Sequence, residues 1–118
     1  MPFLVKPKSE IYQVPKFQEI PNVFILDSVG TQEGKTVHPL TGAWFRMEQG
    51  PEVTPPKYQY NEIGIMIDGE MDFVDETGQK ANVKAGQVFF FPAGSTITFS
   101  SATYGVAWKC RTTPMGKL

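Results

Sequence analysis

The side chains that could carry chemistry are few. One carboxylate, Glu62, stands four residues after Tyr58 and two after Tyr60, with Lys57 just before the phenols. A carboxylate beside a phenol is an acid–base arrangement: the carboxyl takes or gives a proton while the phenol donates to a carbonyl oxygen. Arg46 and Glu48, two apart in a β-prone run, share one strand face, so Arg46 can fork onto a substrate carboxylate or pair with Glu48 instead. Glu62 has the same two options, a site carboxylate or a structural partner of Arg46, Lys57 or a tyrosine. His38 is the one histidine and Cys110 the one cysteine. That excludes an imidazole cluster for zinc or iron and any intrachain disulfide. His38, in a loop-like stretch before Pro39, reads as a solvated side chain. Cys110 lies between Lys109 and Arg111, whose charges favour a thiolate, but no histidine is placed to activate it.

The elements that must position these residues are strands. Eleven glycines and ten prolines in 118 residues punctuate the chain into short pieces. No window sustains the helical apolar period beyond a turn or two. Strand patterns fall at residues 23–26, 43–47, 62–67, 70–74, 80–84, 87–91, 96–99 and 104–108. Asp68-Gly69 and Asp75-Glu76-Thr77-Gly78 read as turns between them. Eight short strands with turn residues between them predict an all-β sandwich or barrel. Phe89, Phe90 and Phe91 are consecutive, so the strand at 87–91 is expected to be packed on both faces. A second sheet, the N-terminal segment or a partner subunit must then cover it. A homodimer is the expectation, with Phe3-Leu4-Val5 adding an edge strand or covering a sheet face.

Composition narrows the function classes. Eleven basic and twelve acidic residues give a net charge of -1, with no basic run to track a phosphate backbone, so nucleic acid is not an expected partner. No stretch reaches the roughly 18 apolar residues needed to cross a bilayer, and no leader pattern precedes the first strand. A cytoplasmic, single-domain protein of residues 1–118 is expected, with an N-terminal segment over 1–41 and the core over 42–110.

Two spacings resemble the paired motifs of the cupin superfamily. In the first, Gly50 is followed by Pro56-Lys57-Tyr58, then Glu62 and Gly69. In the second, Gly86 leads through Gln87-Val88-Phe89-Phe90-Phe91 to Pro92-Ala93-Gly94, with Ile97 and Ser101 in the last two places. The glycine and proline skeleton matches, and of the metal-binding positions only Glu62 is kept. Tyr60-Asn61-Glu62-Ile63, Asp68-Gly69-Glu70-Met71, Ala85 to Ser95 and Val106-Ala107-Trp108 are similar to the cupin domain of the ethanolamine-utilisation protein Q family. That family tends to carry a second acid two residues after the glutamate, where this chain has Gly64.

The resemblance implies a small cupin (RmlC-like jelly-roll) β-barrel with Glu62 and Tyr58 directed inward. Pro56 and Ile97 bring no donor atoms, so neither a metal nor another cofactor is expected. Small molecules are the expected ligands, with Glu62 and Tyr58 catalytic. Arg46, Lys57, Tyr60, Trp44, Met66, Phe99 and Trp108 are then expected to line or clamp the substrate. Metal-independent acid–base chemistry of a lyase, dehydratase, isomerase or cyclase is the first reading. A non-catalytic binding or assembly module is the second. The resemblance alone implies a third, an accessory role in ethanolamine utilisation with acetate-kinase-like activity, although no phosphate-cradling glycine loop accompanies it.

Overall fold

The computed structural model describes residues 2–116. Seven strands form: β1 (Val23–Gly30), β2 (Thr41–Glu48), β3 (Glu62–Val74), β4 (Lys80–Lys84), β5 (Val88–Phe91), β6 (Thr98–Ser100) and β7 (Tyr104–Arg111), after a short 3-10 helix at Lys8–Tyr12. Every pairing is antiparallel. The all-β cupin fold is as expected from the sequence, with one fewer strand.

The difference lies in β3. Asp68-Gly69 is not a hairpin turn; the chain passes through it and stays paired, Asp68 with Val106 and Gly69 with Gly105. The register shifts between Met66 and Asp68, a bulge that bends the strand without breaking its ladder. Gly69 makes the bend possible. Its φ is +70°, and a Cβ there would sit 2.1 Å from the Tyr104 carbonyl oxygen, a contact no side chain survives. The first half of β3 runs between β7 and β5, the second between β4 and β6. One strand thus serves both walls of the barrel. Gln87 lies outside β5, its side-chain oxygen accepting a hydrogen bond from the Lys84 N–H, and Thr96 lies outside β6.

Strand alternation sends Phe45, Met47, Met66, Met71, Phe73, Phe91 and Phe99 into one core with Ile97. Phe73 meets Phe89, Phe91 and Phe99 edge to face, contacts worth about 0.5–1.5 kcal/mol each beyond their burial. The opposite face of β2 is covered by the N-terminal segment. Glu10 accepts a hydrogen bond from Trp44 Nε1 at 3.1 Å and another from Ser28 Oγ, while Ile11 and Val14 are buried.

That cover stops short of β5. Two cross-strand rows, Cys110–Ile63–Phe90 and Trp108–Ile65–Val88, run over β7, β3 and β5 on the outer face. Ile63 is 58%, Val88 75% and Phe90 57% exposed. The rows border a groove of about 630 Å³ in which Gly64 lies between them. Within one chain only Phe89 and Phe91 turn to the core, and neither a second sheet nor the N-terminal segment covers the outer face of this strand. Phe3, Leu4 and Val5 neither form a strand nor cover a face; they are exposed.

Candidate functional site

Among the described residues, the inner face of the barrel holds four charged side chains. Glu62, at the start of β3, is 3% exposed, and Lys109 and Arg111 on β7 are 9% and 2% exposed. Asp27 on β1 faces them. Burying charges is costly unless each is paired, and the strand register supplies the partners. Lys109 is flanked across the ladder by Ala43 and Gly64, the two smallest side chains available, which leaves room for its four-carbon stem. Its ammonium lies 3.2 Å from Glu62 Oε1, 4.4 Å from the centre of the Phe45 ring and 5.4 Å from that of Phe99. Both rings contribute cation–π attraction. The ion pair is off-axis. Glu62 Oε1 is fully buried and accepts no well-directed hydrogen bond.

Arg111 is the direct cross-strand neighbour of Glu62 but is engaged elsewhere. Its Nη1 and Nη2 donate to the two oxygens of Asp27 at 2.9 and 2.7 Å, and Nε donates to Thr113 Oγ1 at 2.7 Å. Asp27 also accepts from the Gly116 N–H at 2.7 Å. Burial pushes the Asp27 carboxyl up, but the Arg111 hydrogen bonds, the Gly116 amide and the charges of Arg111 and Lys109 outweigh it and hold the group below its ordinary value. Arg111 thus commits a donor from each of its three nitrogens to Asp27 and Thr113, and Lys109 is the cation paired with Glu62.

Tyr58 comes to the same place from the loop before β3. Its amide donates to the Ser95 carbonyl and its carbonyl accepts from Gly94 N–H, so the Pro92–Gly94 turn of the second motif pins the first motif's tyrosine. Its phenol is raised well above the ordinary tyrosine value, first by burial, then by the negative charge of Glu62 and by Tyr60, and last by a hydrogen bond with Glu62. It is therefore a neutral donor at any physiological pH. Tyr60 stacks on it with ring centres 5.4 Å apart. Tyr60 is half-buried, and burial with the Glu62 charge also raises its phenol, Arg111 opposing and Asp27 adding.

Three of the expected substrate-binding residues are misplaced. Trp44, Arg46 and Trp108 point to the outer face, not into the barrel. Each is one residue out of phase with an inward neighbour, and a strand's side chains alternate. Trp44 and Trp108 pack edge to face at 4.8 Å. Arg46 lies 4.1 Å over the Phe24 ring and 3.7 Å from Glu48. Lys57 is exposed on its loop. Met66 and Phe99 are in the core, and Phe99 touches the site through Lys109. Lys109, Arg111 and Asp27 are not singled out by sequence reasoning. The signal was there in the alternation of Ala107, Lys109 and Arg111, which puts both cations on the face opposite Trp108.

Cupins commonly hold a metal where this cluster lies, and these residues do not fit one. The motif positions bring Pro56, Tyr58 and Ile97. Glu62, the one kept ligand, is already neutralised by an ammonium. The position of the second acid is filled as well: a Cβ on Gly64 would come within 2.5 Å of the Phe89 ring. His38 is exposed. Among the described residues no group of three or more His, Cys, Asp or Glu side chains converges. No described helix is long and apolar enough to cross a membrane.

Comparison with known proteins agrees with this fold. A 45-residue stretch is 40% identical to the acetate kinase EutQ of Clostridioides difficile strain 630, covering 38% of this chain and 28% of that protein; the chain thus spans little more than a quarter of that curated relative. The solved EutQ protein of Clostridium difficile superposes with a TM-score of 0.64 at 24% identity, over 76% of this chain and 67% of that one. A Salmonella typhimurium LT2 structure assigned to ethanolamine utilization protein Q gives 0.70 at 24% identity, over 84% and 77%. The family model for the EutQ-like cupin domain matches residues 39–117, two thirds of the chain and every residue of the barrel from Thr41 to Arg111, and the chain belongs to that family.

Proposed function

We propose that this chain is a metal-independent cupin that acts on a small organic molecule by acid–base chemistry, as a lyase, dehydratase, isomerase or cyclase. The observation that carries the reading is Glu62 Oε1: a buried carboxylate oxygen, beside a cation, with no hydrogen bond directed at it. Such an oxygen is free to take a proton from a C–H next to a carbonyl. The electron pair released moves onto the carbonyl oxygen, where the Lys109 ammonium and the neutral Tyr58 phenol stabilise the developing charge. Return of the proton to another carbon is isomerisation; loss of a group from the neighbouring carbon is elimination. Solvent-deuterium exchange tests this without knowledge of the full reaction. Small ketones, aldehydes and oxo acids are incubated with protein in D₂O and followed by proton NMR. At least one should exchange faster than in buffer, and Glu62→Gln should lose about 10²–10⁴-fold of that rate. Exchange at the buffer rate throughout, or undiminished exchange in folded Glu62→Gln, would overturn it.

A second reading, a non-catalytic binding module, draws support from the same pair, because Lys109 already neutralises Glu62 in the chain on its own. Ligand binding without any exchange would favour it. The name of the curated relative suggests acetate kinase activity; against it, both interior cations are paired with carboxylates rather than held open for phosphate.

For assembly, the outer face of β5 supports a homodimer in which a second copy of this chain covers it. The groove lined by Ile63, Gly64, Ile65, Val88, Phe90 and Trp108 carries no charge. Its two ridges and the trough between them lie on one surface, so a two-fold partner can set ridge into trough.

A further inference from the structure

We propose that the segment Phe3-Leu4-Val5 of a second copy of this chain pairs with the open edge of β5 as an added strand, and that the two copies exchange these arms reciprocally. This rests on the homodimer reading given above and names the segment and the strand that make the contact.

β5 is an edge whose outward backbone groups have no strand to bond. The Met66 N–H donates to the Gln87 carbonyl at 2.9 Å. With Gly64 in register with Phe89 and Glu62 with Phe91, that bond fixes which residues of β5 pair with β3. In an antiparallel pair such residues alternate with ones whose N–H and C=O point the other way. Val88 and Phe90 are the latter. Among the described residues no strand lies on that side of β5.

The other described edges are protected. Pro15 and Phe17 hydrogen-bond β1, which carries a bulge further on. Val53 exchanges two backbone bonds with Phe99 on β6, and β4 exposes Lys80, Asn82 and Lys84. β5, Val88-Phe89-Phe90-Phe91, has neither cover nor charge, two features that ordinarily keep an edge from pairing.

The arm is the matching element. Phe3, Leu4 and Val5 are apolar and exposed. Pro2 and Pro7 lack an N–H and bracket a run of the length needed to cover a four-residue strand. Set antiparallel to β5, the arm places Phe3 opposite Phe90, Leu4 opposite Phe89 and Val5 opposite Val88. Phe3 and Val5 then extend the two outer apolar rows by one residue each, and their backbone groups meet those of Val88 and Phe90.

The arm cannot do this within its own chain. Glu10 is held over β1 and β2 by Ser28 and Trp44, and the place beyond β5 lies four strand spacings from β2, about 19 Å. Residues 8–10 rise about 2 Å each in the 3-10 helix and residues 5–8 span at most about 10 Å, so Val5 stays within about 14 Å of Glu10. A second copy supplies what the first cannot reach, and reciprocal exchange closes the pair.

The test uses the full chain, with light scattering and amide exchange by NMR. Val5→Pro removes the N–H that faces Val88, at a position outside every described element. In the wild-type dimer the Val88 and Phe90 amides should exchange about 100-fold or more slowly than in Val5→Pro. The variant should also have a dimer Kd roughly tenfold or more higher. A chain-specific link comes from co-refolding Val5→Cys with Val88→Cys, both carrying Cys110→Ser. Paired residues about 5.5 Å apart at Cα can form a disulfide, so mild oxidation of the mixture should give about tenfold more covalent dimer than either variant alone.

A wild-type dimer whose Val88 and Phe90 amides exchange as fast as those of Val5→Pro, or a mixture that does not cross-link, would overturn the arm exchange and leave the homodimer reading standing. A wild-type protein of single chain mass would overturn both.

Discussion

Arg111 and Asp27 meet as two planar forks, Nη1 on Oδ1 at 2.9 Å and Nη2 on Oδ2 at 2.7 Å, and this clasp ties β7 to β1 across the inner face of β2. Because the Asp27 carboxyl is held below its ordinary value of 3.8, its contribution to stability has a defined sign. It is fully present above the unfolded-state value and is lost as pH falls from there through the lower folded-state value. Urea midpoints at about pH 5 and about pH 2.5 should therefore drop more for wild type than for Asp27→Asn. At pH 5 the variant should be less stable by roughly 3–5 kcal/mol, the cost of leaving Arg111 buried without its partner.

The Glu62–Lys109 pair should respond as a unit. Lys109→Met alone strands a buried carboxylate and should cost roughly 3–5 kcal/mol. Adding Glu62→Gln should recover most of that loss, because a neutral pair needs no counter-ion. Chemical denaturation of the two single variants and the double variant gives the coupling directly. Additive losses would mean that the two side chains do not sense one another.

The homodimer reading makes a mass prediction. Light scattering at micromolar concentration should give twice the chain mass for wild type. Phe90→Asp, which puts a charge in the outer row without touching the core, should give the chain mass with the fold preserved by circular dichroism. A wild-type protein of single chain mass would rule out this use of the face.

Gly69 should tolerate no side chain. Gly69→Ala forces a left-handed backbone on a residue with a Cβ and drives it into the Tyr104 carbonyl, for a loss of roughly 2–5 kcal/mol in thermal or urea unfolding. Gly78→Ala, with open space around its Cβ, should pay the backbone strain alone and lose less.

The fold was legible because its punctuation is local. Gly86, Pro92 and Gly94 mark turns whatever surrounds them, and the alternation of β4 and β7 can be read residue by residue. The inward placement of Glu62 and Tyr58 followed from the motif spacing. The bulge between Met66 and Asp68 was not legible, because the Asp68-Gly69 that follows it is equally the signature of a hairpin and only pairing with β7 distinguishes the two. Trp44, Arg46 and Trp108 were assigned to the cavity by residue type, when strand parity against Ala43, Phe45 and Lys109 sends them outward. Lys109 itself reads as a solvated surface lysine until Glu62 is placed opposite it, and that meeting of distant strands is tertiary information.

The strand order also bears on how the chain is made. β7 is the last of the seven described strands, yet it lies in the middle of the sheet, with β2 on one side and the first half of β3 on the other. Until Tyr104–Arg111 has left the ribosome, β2 and β3 have no common neighbour, and Glu62 has neither Lys109 nor Arg111 beside it. Hairpins β1–β2 and β3–β4 can form during synthesis, but the barrel can close only once β7 has emerged. A nascent chain stalled before residue 104 exposes unpaired strand edges and an unneutralised carboxylate, and is the form most open to chaperone capture.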